Sequence, residues 1–310
     1  MNFKYSWILN EYGVSVESFC SVGHDHLDRN KVYLINNKFI LKIYGKFINW
    51  KRELESLLLI KDSAFQVPLV LDYGITKENE PWTLMNKISG KILSKIELKF
   101  DYSKLKDLYY DIGSYQARFH KALADKHSGN WATTTSKFTS HQDYFDYEIL
   151  KNRRLAEQVL SKAYPEQALF LEAYKKMKRL ESAILGDLKI SLCHNDLSAR
   201  NIIVKDNLDS LKLTGFIDFE LSHTSNIEND IVKMLIKTHK KDLSKHYFEG
   251  YLSENTEVFI ISERKEYYVL VACFDICRWA RKLDRAYFDD AIEIIKLILK
   301  GNVDKVFMDK

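Results

Sequence analysis

The chain is poor in the residues that cross-link or interrupt a fold. Its 310 residues include only four cysteines and three prolines. The cysteines, Cys20, Cys193, Cys273 and Cys277, lack the C-x-x-C spacing typical of structural zinc sites. They are also too few for the disulfide framework of a small secreted domain. We therefore expect reduced thiols in a cytoplasmic protein.

Long apolar runs are missing too. No window approaches the roughly eighteen uninterrupted apolar residues that a membrane helix needs, and the first ten residues lack the apolar core of a signal peptide. Basic residues are scattered, with 47 Lys and Arg against 43 Asp and Glu and a net charge of +4. This balance does not favour nucleic acid as the main partner. We expect neither a membrane nor a nucleic acid as partner, and the sequence leaves the oligomeric state open.

The hydrophobic pattern changes along the chain. With 46% hydrophobic and 13% aromatic residues, the chain can bury a large core in two lobes. Up to residue 88 it is strand-rich: residues 31–35 and 39–44 flank an Asn-Asn turn, and a helix and two more strands, around 67–73 and 82–88, follow. From residue 103 the period becomes helical, with further helices predicted at 142–162, 165–186, 228–238, 263–283 and 287–300. These patterns predict a β-rich domain over residues 1–88 and a mainly helical domain over 89–310.

Three polar residues in the middle of the chain have a spacing that suits phosphoryl transfer. Asp196 precedes Asn201 by five residues, and Asp218 follows Asn201 by seventeen. The reaction needs a carboxylate that accepts the acceptor's proton and oxygen ligands that hold Mg²⁺ against the triphosphate. Two apolar runs separated by a turn at residues 206–209 predict a hairpin whose outer ends bring Asn201 and Asp218 together.

Each of these residues alone is more often an ordinary loop or turn former. The spaced set, together with His194 and Glu220, favours the catalytic interpretation.

The pattern His194-x-Asp196-x-x-x-x-Asn201, followed by Ile-Asp-Phe-Glu at residues 217–220, resembles the catalytic segment of the aminoglycoside phosphotransferase and choline kinase superfamily. These are small-molecule kinases. The resemblance implies an α+β, two-lobed protein-kinase-like fold, with a small antiparallel β N-lobe carrying one helix and a larger, mainly helical C-lobe.

The resemblance also implies roles for residues in the first lobe. Lys42 is similar to the lysine that contacts the α and β phosphates, and Glu53 to the glutamate that pairs with it, with Glu55 as the neighbouring alternative. Residues 82–90 resemble the hinge that binds the purine edge, which implies nucleotide contacts at Met85 and Ile88. Residues 21–30 stand where a loop covers the nucleotide, although Gly23 is their one glycine. Further along, Asp230 resembles the family's structural aspartate after the metal site.

The residues expected around the acceptor depend on the chemistry of the acceptor. A polycationic aminoglycoside needs carboxylates, and choline needs an aromatic cage. Both kinds of residue occur in the C-terminal half, and most are expected to be surface or core residues: Glu249, Glu254, Glu257, Glu263, Glu266, Asp275, Asp284, Asp289 and Asp290; Tyr267, Tyr268, Phe274, Trp279, Tyr287 and Phe288. The predicted substrate contacts are Glu220, Asp275 and Trp279. Asp275 lies in an apolar run with Arg278 three residues on, so it either forms a buried pair or lines a cleft.

These observations predict a kinase that transfers the γ-phosphate of ATP or GTP to a hydroxyl of a small, hydroxylated, cationic antibiotic, with an aminoglycoside as the leading acceptor. Asp196 would orient the hydroxyl and accept its proton, Asn201 and Asp218 would hold Mg²⁺, and Lys42 paired with Glu53 would fix the phosphates. One alternative is a metabolic kinase of choline, ethanolamine or a related amino alcohol. The other is a non-catalytic kinase-like protein that binds nucleotide.

Overall fold

The computed structural model describes residues 3–23, 30–61, 63–124, 141–184, 189–207, 210–259 and 261–307. The fold is α+β, as predicted. Two compact units are formed, the first by Met1–Leu98 with Ala199–Ser222 and the second by Lys99–Ser198 with His223–Lys310. Most of the predicted nucleotide-covering loop, residues 24–29, lies outside the described residues.

An antiparallel five-stranded sheet forms the centre of the first unit, with strand order β1-β2-β3-β5-β4. Its strands are β1 (Phe19–Ser21), β2 (Asn30–Ile35), β3 (Phe39–Tyr44), β4 (Val70–Ile75) and β5 (Pro81–Asn86). Two helices accompany it, α1 (Ser6–Glu11) and α2 (Phe47–Ile60).

The β2–β3 hairpin is closed by the predicted Asn-Asn turn. Asn36 and Asn37 have φ angles of 50° and 54°, the left-handed conformation that a type I′ turn requires, and the Lys38 N–H donates to the Ile35 carbonyl at 2.9 Å. Alternation along β3 then places Leu41 and Ile43 in the core shared with α1, while Tyr44 packs with residues of α2 on the opposite face. Lys42 shares that second face, so the alternation directs it towards α2.

A second hairpin joins the first unit from far along the chain. It consists of β8 (Ile202–Asn207) and β9 (Ser210–Phe216), and β8 also pairs with β6 (Lys91–Ile92). The Phe216 N–H donates to the carbonyl of Gln66 at 3.2 Å. These contacts explain why the compact units are not contiguous in sequence. The division into domains 1–88 and 89–310 stays a prediction.

The second unit is mainly helical. Its described helices are α3 (Tyr102–Leu123), α4 (His141–Leu160), α5 (Gln167–Leu180), α6 (Ile227–His239), α7 (Ser244–Glu254), α8 (Ser262–Leu283), α9 (Arg285–Leu299) and α10 (Asp304–Phe307). Strands β7 (Ile190–Cys193) and β10 (His223–Asn226) pair antiparallel. Helix α8 packs against α4, α5, α6 and α9 and is the centre of this core. Within the described part of the chain, no helix combines the length and apolarity needed to span a membrane.

Helices α3 and α7 cross with their backbones in contact. A β-carbon added to Gly250 would lie 1.9 Å from the Tyr110 carbonyl oxygen, and one added to Gly113 would lie 1.9 Å from that of Tyr247. Real β-carbons do not approach backbone so closely, so both positions require glycine. This crossing matters for the site because α3 carries His120, whose role is described below.

We expect Gly250→Ala to destabilise the protein by at least about 2 kcal/mol, because the methyl group must push two packed backbones apart. For a domain of this size the melting temperature should fall by roughly 4–8 °C. Thermal unfolding followed by circular dichroism measures the change. Asp107→Ala, at an exposed position of α3, is the control and should stay within about 0.5 kcal/mol of wild type. Equal stability of the two variants would contradict the close crossing.

Candidate active site

In the first unit, one buried lysine contacts three carboxylates. The Lys42 ammonium lies 2.7 Å from Glu53 Oε2, 2.6 Å from Asp218 Oδ1 and 3.3 Å from Glu220 Oε2. Burial alone would lower the pKa of Lys42, but Asp218 and Glu53 outweigh it and raise that pKa well above its usual value. Lys42 is therefore a fixed positive charge.

Of the two candidate glutamates on α2, Glu53 contacts Lys42, whereas Glu55 forms an exposed pair with Lys51. Glu53 Oε2 also accepts from the Tyr44 hydroxyl at 2.8 Å, and Oε1 accepts from the Phe219 N–H at 3.0 Å. Glu53 thus connects β3, α2 and the segment after β9. Its burial raises the pKa of the carboxyl, an effect that Lys42 opposes.

The ends of the β8–β9 hairpin meet as the sequence predicted. The Ile217 N–H donates to the Asn201 carbonyl at 3.0 Å, which places Asn201 and Asp218 at the same end of the hairpin. Asp218 has a φ of 68°, a left-handed conformation that is uncommon for a residue with a side chain and often marks a functional position.

The oxygens around Lys42 fit a hard divalent cation. Glu53, Asp218 and Glu220 each offer a carboxylate oxygen, and these oxygens lie within 4.8 Å of one another. Three carboxylates against one ammonium leave an excess of negative charge when all are ionised. Carboxylate and amide oxygens are the ligands that Mg²⁺ prefers, so Asp218 and Asn201 suit it by chemistry.

Glu220 and Asn30 belong to this group as well. The Asn30 side-chain amide donates to Glu220, and its oxygen accepts from the Gly45 N–H at 3.2 Å. Glu220 therefore lies beside Lys42, and its predicted contact with the acceptor stays a prediction. Asn30 was not singled out from the sequence, because an asparagine opening a strand carries no signal of its own.

In the second unit, the segment after β7 is held by a buried carboxylate on α6. Asp230 Oδ2 accepts from the His194 N–H at 3.0 Å, and Oδ1 accepts from the Asn195 N–H at 2.8 Å. Asn195 has a φ of 62°, a strained conformation that these two hydrogen bonds help to fix. Asp196 follows directly, so Asp230 sets the backbone from which the candidate base projects.

Asp230 is itself anchored from α3. Its Oδ2 accepts from Gln116 Nε2 at 3.0 Å and lies 3.2 Å from His120 Nε2, which therefore carries the proton. His120 Nδ1 lies 2.8 Å from the Tyr251 hydroxyl of α7. Burial would raise the pKa of Asp230, but the hydrogen bond and charge interaction with His120 outweigh burial and hold it well below the usual range.

His120, Cys193 and Asp230 have the spacing of a metal site but not its chemistry. Each already donates or accepts a hydrogen bond, and the Cys193 thiol donates to the Ser225 carbonyl at 3.4 Å. Burial raises the pKa of that thiol well above its usual value, whereas a metal would need the thiolate. The cluster is a structural support.

Two lysines on α6 contact the same segment. Lys233 Nζ lies 3.2 Å from the Asn195 carbonyl, and Lys237 Nζ lies 3.0 Å from both the Leu197 carbonyl and Asp196 Oδ1. Sequence reasoning missed both lysines. The signal was their spacing, three and seven residues after Asp230, which puts all three side chains on one helix face.

The predicted nucleotide contacts can be located in the first unit. Met85 is buried within β5, and the half-buried Ile88 follows the strand. The described contacts include no hydrogen bond to the backbone of Ile88, so its N–H and carbonyl could serve a purine edge. At Gly23 an added β-carbon would make only ordinary contact with Val32 at 3.4 Å. Packing therefore does not demand glycine there.

Several of the aromatic acceptor candidates are core residues. Four aromatic candidates are completely buried in the core: Tyr267, Tyr268, Phe274 and Phe288. Trp279 is half-buried and stands 6.2 Å from Tyr287, ring to ring. Asp275 forms a pair with Arg278 at 2.9 Å that is partly exposed, so of the two alternatives the buried pair does not hold. Its position on the polar face of α8 gives both side chains access to water.

The other acidic candidates already contact groups of the protein itself. Glu249, Glu254, Glu257, Glu266, Asp289 and Asp290 each contact a basic side chain, while Glu263 contacts Ser262 and Asp284 caps α9. None of these contacts marks an acceptor pocket.

A lysine on a small antiparallel sheet paired with a glutamate of the adjoining helix, and an Asp-x-x-x-x-Asn segment leading into a hairpin, define the class of kinase-like phosphotransferases. The profile of the phosphotransferase enzyme family matches residues 23–267, and the chain belongs to that family. It is therefore a phosphotransferase. No curated protein sequence matches the chain.

Solved structures agree on the fold. The GDP and kanamycin complex of APH(2")-IIia is 18% identical, with a TM-score of 0.65 over 95% of this chain and 97% of that chain. The gentamicin–APH(2")-IIa complex is 18% identical, with a TM-score of 0.63 and 99% coverage of both chains. A thermostable mutant of aminoglycoside phosphotransferase APH(4)-Ia is 14% identical, with a TM-score of 0.68 over 95% of this chain and 98% of that chain. The fold is thus that of small-molecule kinases.

We expect Asp230→Asn to destabilise the protein by about 3–5 kcal/mol at neutral pH, because it breaks a buried, hydrogen-bonded charge network. The pKa of Asp230 is lower in the folded state than the unfolded value of about 3.9. Its stabilising contribution is therefore fully present above that unfolded pKa and is lost as the pH falls further, towards the folded pKa.

Melting temperatures of wild type and Asp230→Asn from pH 3 to 8 test this expectation. The difference between the two proteins should be constant above about pH 5 and shrink below about pH 4. Asp275→Asn, on the exposed pair with Arg278, is the matched control. A difference that grows on acidification would contradict the role of Asp230.

Proposed function

We propose that this chain transfers the γ-phosphate of ATP or GTP to a hydroxyl of a small hydroxylated molecule, with an aminoglycoside antibiotic as the leading acceptor. The observation that carries the proposal is the simultaneous pairing of buried Lys42 with Glu53 and Asp218. A lysine fixed in this way presents a permanent charge to the phosphates, and Asp218 adds a carboxylate for the accompanying cation.

In the proposed reaction, Asp196 accepts the proton of the acceptor hydroxyl while the new oxygen–phosphorus bond forms and the bond to the nucleoside diphosphate breaks. Lys42 holds the α and β phosphates, and the backbone of Ile88 binds the purine edge. Asn201 and Asp218 would hold Mg²⁺, which would supply positive charge against the triphosphate. Gly23 would allow close approach of its backbone to the phosphates.

The acceptor class is supported by relatives. The solved structures with this fold include complexes described with kanamycin, gentamicin and hygromycin B. A cationic acceptor needs acidic partners, and the described chain gives no unpaired acidic cluster on α7 to α9.

No specific observation favours either alternative, the metabolic kinase of an amino alcohol or the non-catalytic nucleotide-binding protein. A choline kinase needs exposed aromatic faces, whereas four of the six aromatic candidates are completely buried. A non-catalytic protein has no physical reason to retain all four of Lys42, Asp196, Asn201 and Asp218 in its sequence. Metabolic kinase activity nevertheless belongs in the acceptor panel, because ethanolamine needs no aromatic cage.

Phosphate transfer is tested with purified protein, Mg²⁺, ATP or GTP, and a panel of aminoglycosides, other hydroxylated antibiotics, choline and ethanolamine. We expect transfer to at least one antibiotic, and Asp196→Ala should lower turnover at least about a hundredfold while nucleotide affinity stays nearly unchanged. Expression in a susceptible host should then raise resistance to the same compound. Transfer to choline alone, or undiminished turnover by Asp196→Ala, would refute the proposal.

The metal assignment has a test that does not depend on activity. Mg²⁺ together with a non-hydrolysable ATP analogue should raise the melting temperature of wild type, and EDTA should remove the Mg²⁺-dependent part. Asp218→Asn should weaken the apparent Mg²⁺ affinity at least about tenfold, because an amide supplies less charge than a carboxylate. Asp275→Asn should behave as wild type. An unchanged Mg²⁺ response in Asp218→Asn would remove the assignment.

A further inference from the structure

Lys237 contacts the proposed base directly. Its ammonium lies 3.0 Å from Asp196 Oδ1 and 3.0 Å from the Leu197 carbonyl, so it is bound to the side chain and to the backbone of the same short segment. The Lys237 side chain is 16% exposed and that of Asp196 is 33% exposed. The lysine is thus the more enclosed partner, and the carboxylate remains accessible to an acceptor.

The lysine is also held in place. Helix α6 presents Asp230, Lys233 and Lys237 on one face, and all three contact residues 194–197. Asp230 is completely buried and fixes the backbone N–H groups of the segment. Lys237 therefore extends from a helix that is already anchored against this segment, and its charge stays beside Asp196.

This pairing changes the electrostatic character of the base. An isolated carboxylate would attract an acceptor that carries an ammonium group next to its reactive hydroxyl. With Lys237 in contact, an ammonium brought within about 5 Å of Asp196 meets a positive charge at a similar distance, and attraction and repulsion largely cancel. A neutral neighbouring group meets no such opposition.

We propose that Lys237 is a specificity-determining residue, which restricts phosphate transfer to hydroxyls whose neighbouring carbon carries no ammonium group. The inference rests on the proposed function and narrows its acceptor class. On an amino sugar, Lys237 would favour transfer to hydroxyls that are remote from the amino groups. It disfavours ethanolamine and choline, in which the cationic nitrogen is on the carbon beside the hydroxyl-bearing one.

Ethylene glycol and ethanolamine form a matched pair of probes, because they differ in a neutral or cationic group on the carbon next to the reacting hydroxyl. Transfer from ATP and from GTP is measured for wild type, Lys237→Met, Lys237→Arg and Lys245→Met. Lys237→Met keeps the length of the side chain without its charge, and Lys237→Arg keeps the charge. Lys245→Met removes an exposed ammonium from α7.

We expect wild type, Lys237→Arg and Lys245→Met to favour ethylene glycol in kcat/KM at least about tenfold. Lys237→Met should reduce that ratio at least about tenfold, because ethanolamine then no longer meets the ammonium of Lys237 beside the carboxylate. A merely structural lysine would change both acceptors alike. An unchanged ratio in Lys237→Met, or a wild-type preference for ethanolamine, would overturn the inference.

Larger acceptors give a second readout. Where an aminoglycoside is the substrate, NMR of the product should place the phosphate on a hydroxyl whose neighbouring carbons carry no amino group, and the opposite location would overturn the inference.

Absence of transfer by wild type to any acceptor would instead refute the proposed function. In that case a double-mutant cycle of Asp196→Asn and Lys237→Met, followed by thermal unfolding, measures the coupling free energy between the two side chains. A coupling free energy of zero would overturn the inference that Lys237 acts on Asp196.

Discussion

The second unit depends on one buried carboxylate. Asp230 accepts hydrogen bonds from two successive backbone N–H groups and from two side chains of α3. An ionised group without water is stable only when it is fully hydrogen-bonded, so every one of its partners is fixed in position. The segment that carries Asp196 therefore receives its geometry from the interior of the helical unit. The glycine-mediated crossing of α3 and α7 brings His120 and Tyr251 to the same place.

The first unit uses the opposite arrangement of charge. There a buried cation, Lys42, contacts carboxylates of α2 and of the segment after β9. Because the excess charge around it is negative, the group is suited to a cation and a phosphate chain bound together. Each unit thus holds one half of the proposed chemistry: phosphate and metal ligands in the first, the base and its lysine in the second.

Much of this arrangement could be predicted from the sequence, because it depends on local patterns. The Asn-Asn hairpin, the β8–β9 hairpin and six of the long helices follow from periodicity and turn chemistry, and the structure confirms them. Helix α7 was not predicted. Its sequence, with a glycine at the crossing and small polar residues, has a weak helical period, and its stability comes from packing against α3.

The sequence by itself determined the family, the order of strands and helices, and the residues suited to transfer a phosphate, since these depend on residue type and spacing. Only the tertiary structure decided which charges neutralise one another. Asp218 joins Glu53 on Lys42, Asp275 is a partly exposed partner of Arg278, and Lys237 contacts Asp196. The pair of Lys42 and Asp218 joins residues that are 176 positions apart. Electrostatic energy depends on distance in space and on burial, and neither can be read from separation along the chain.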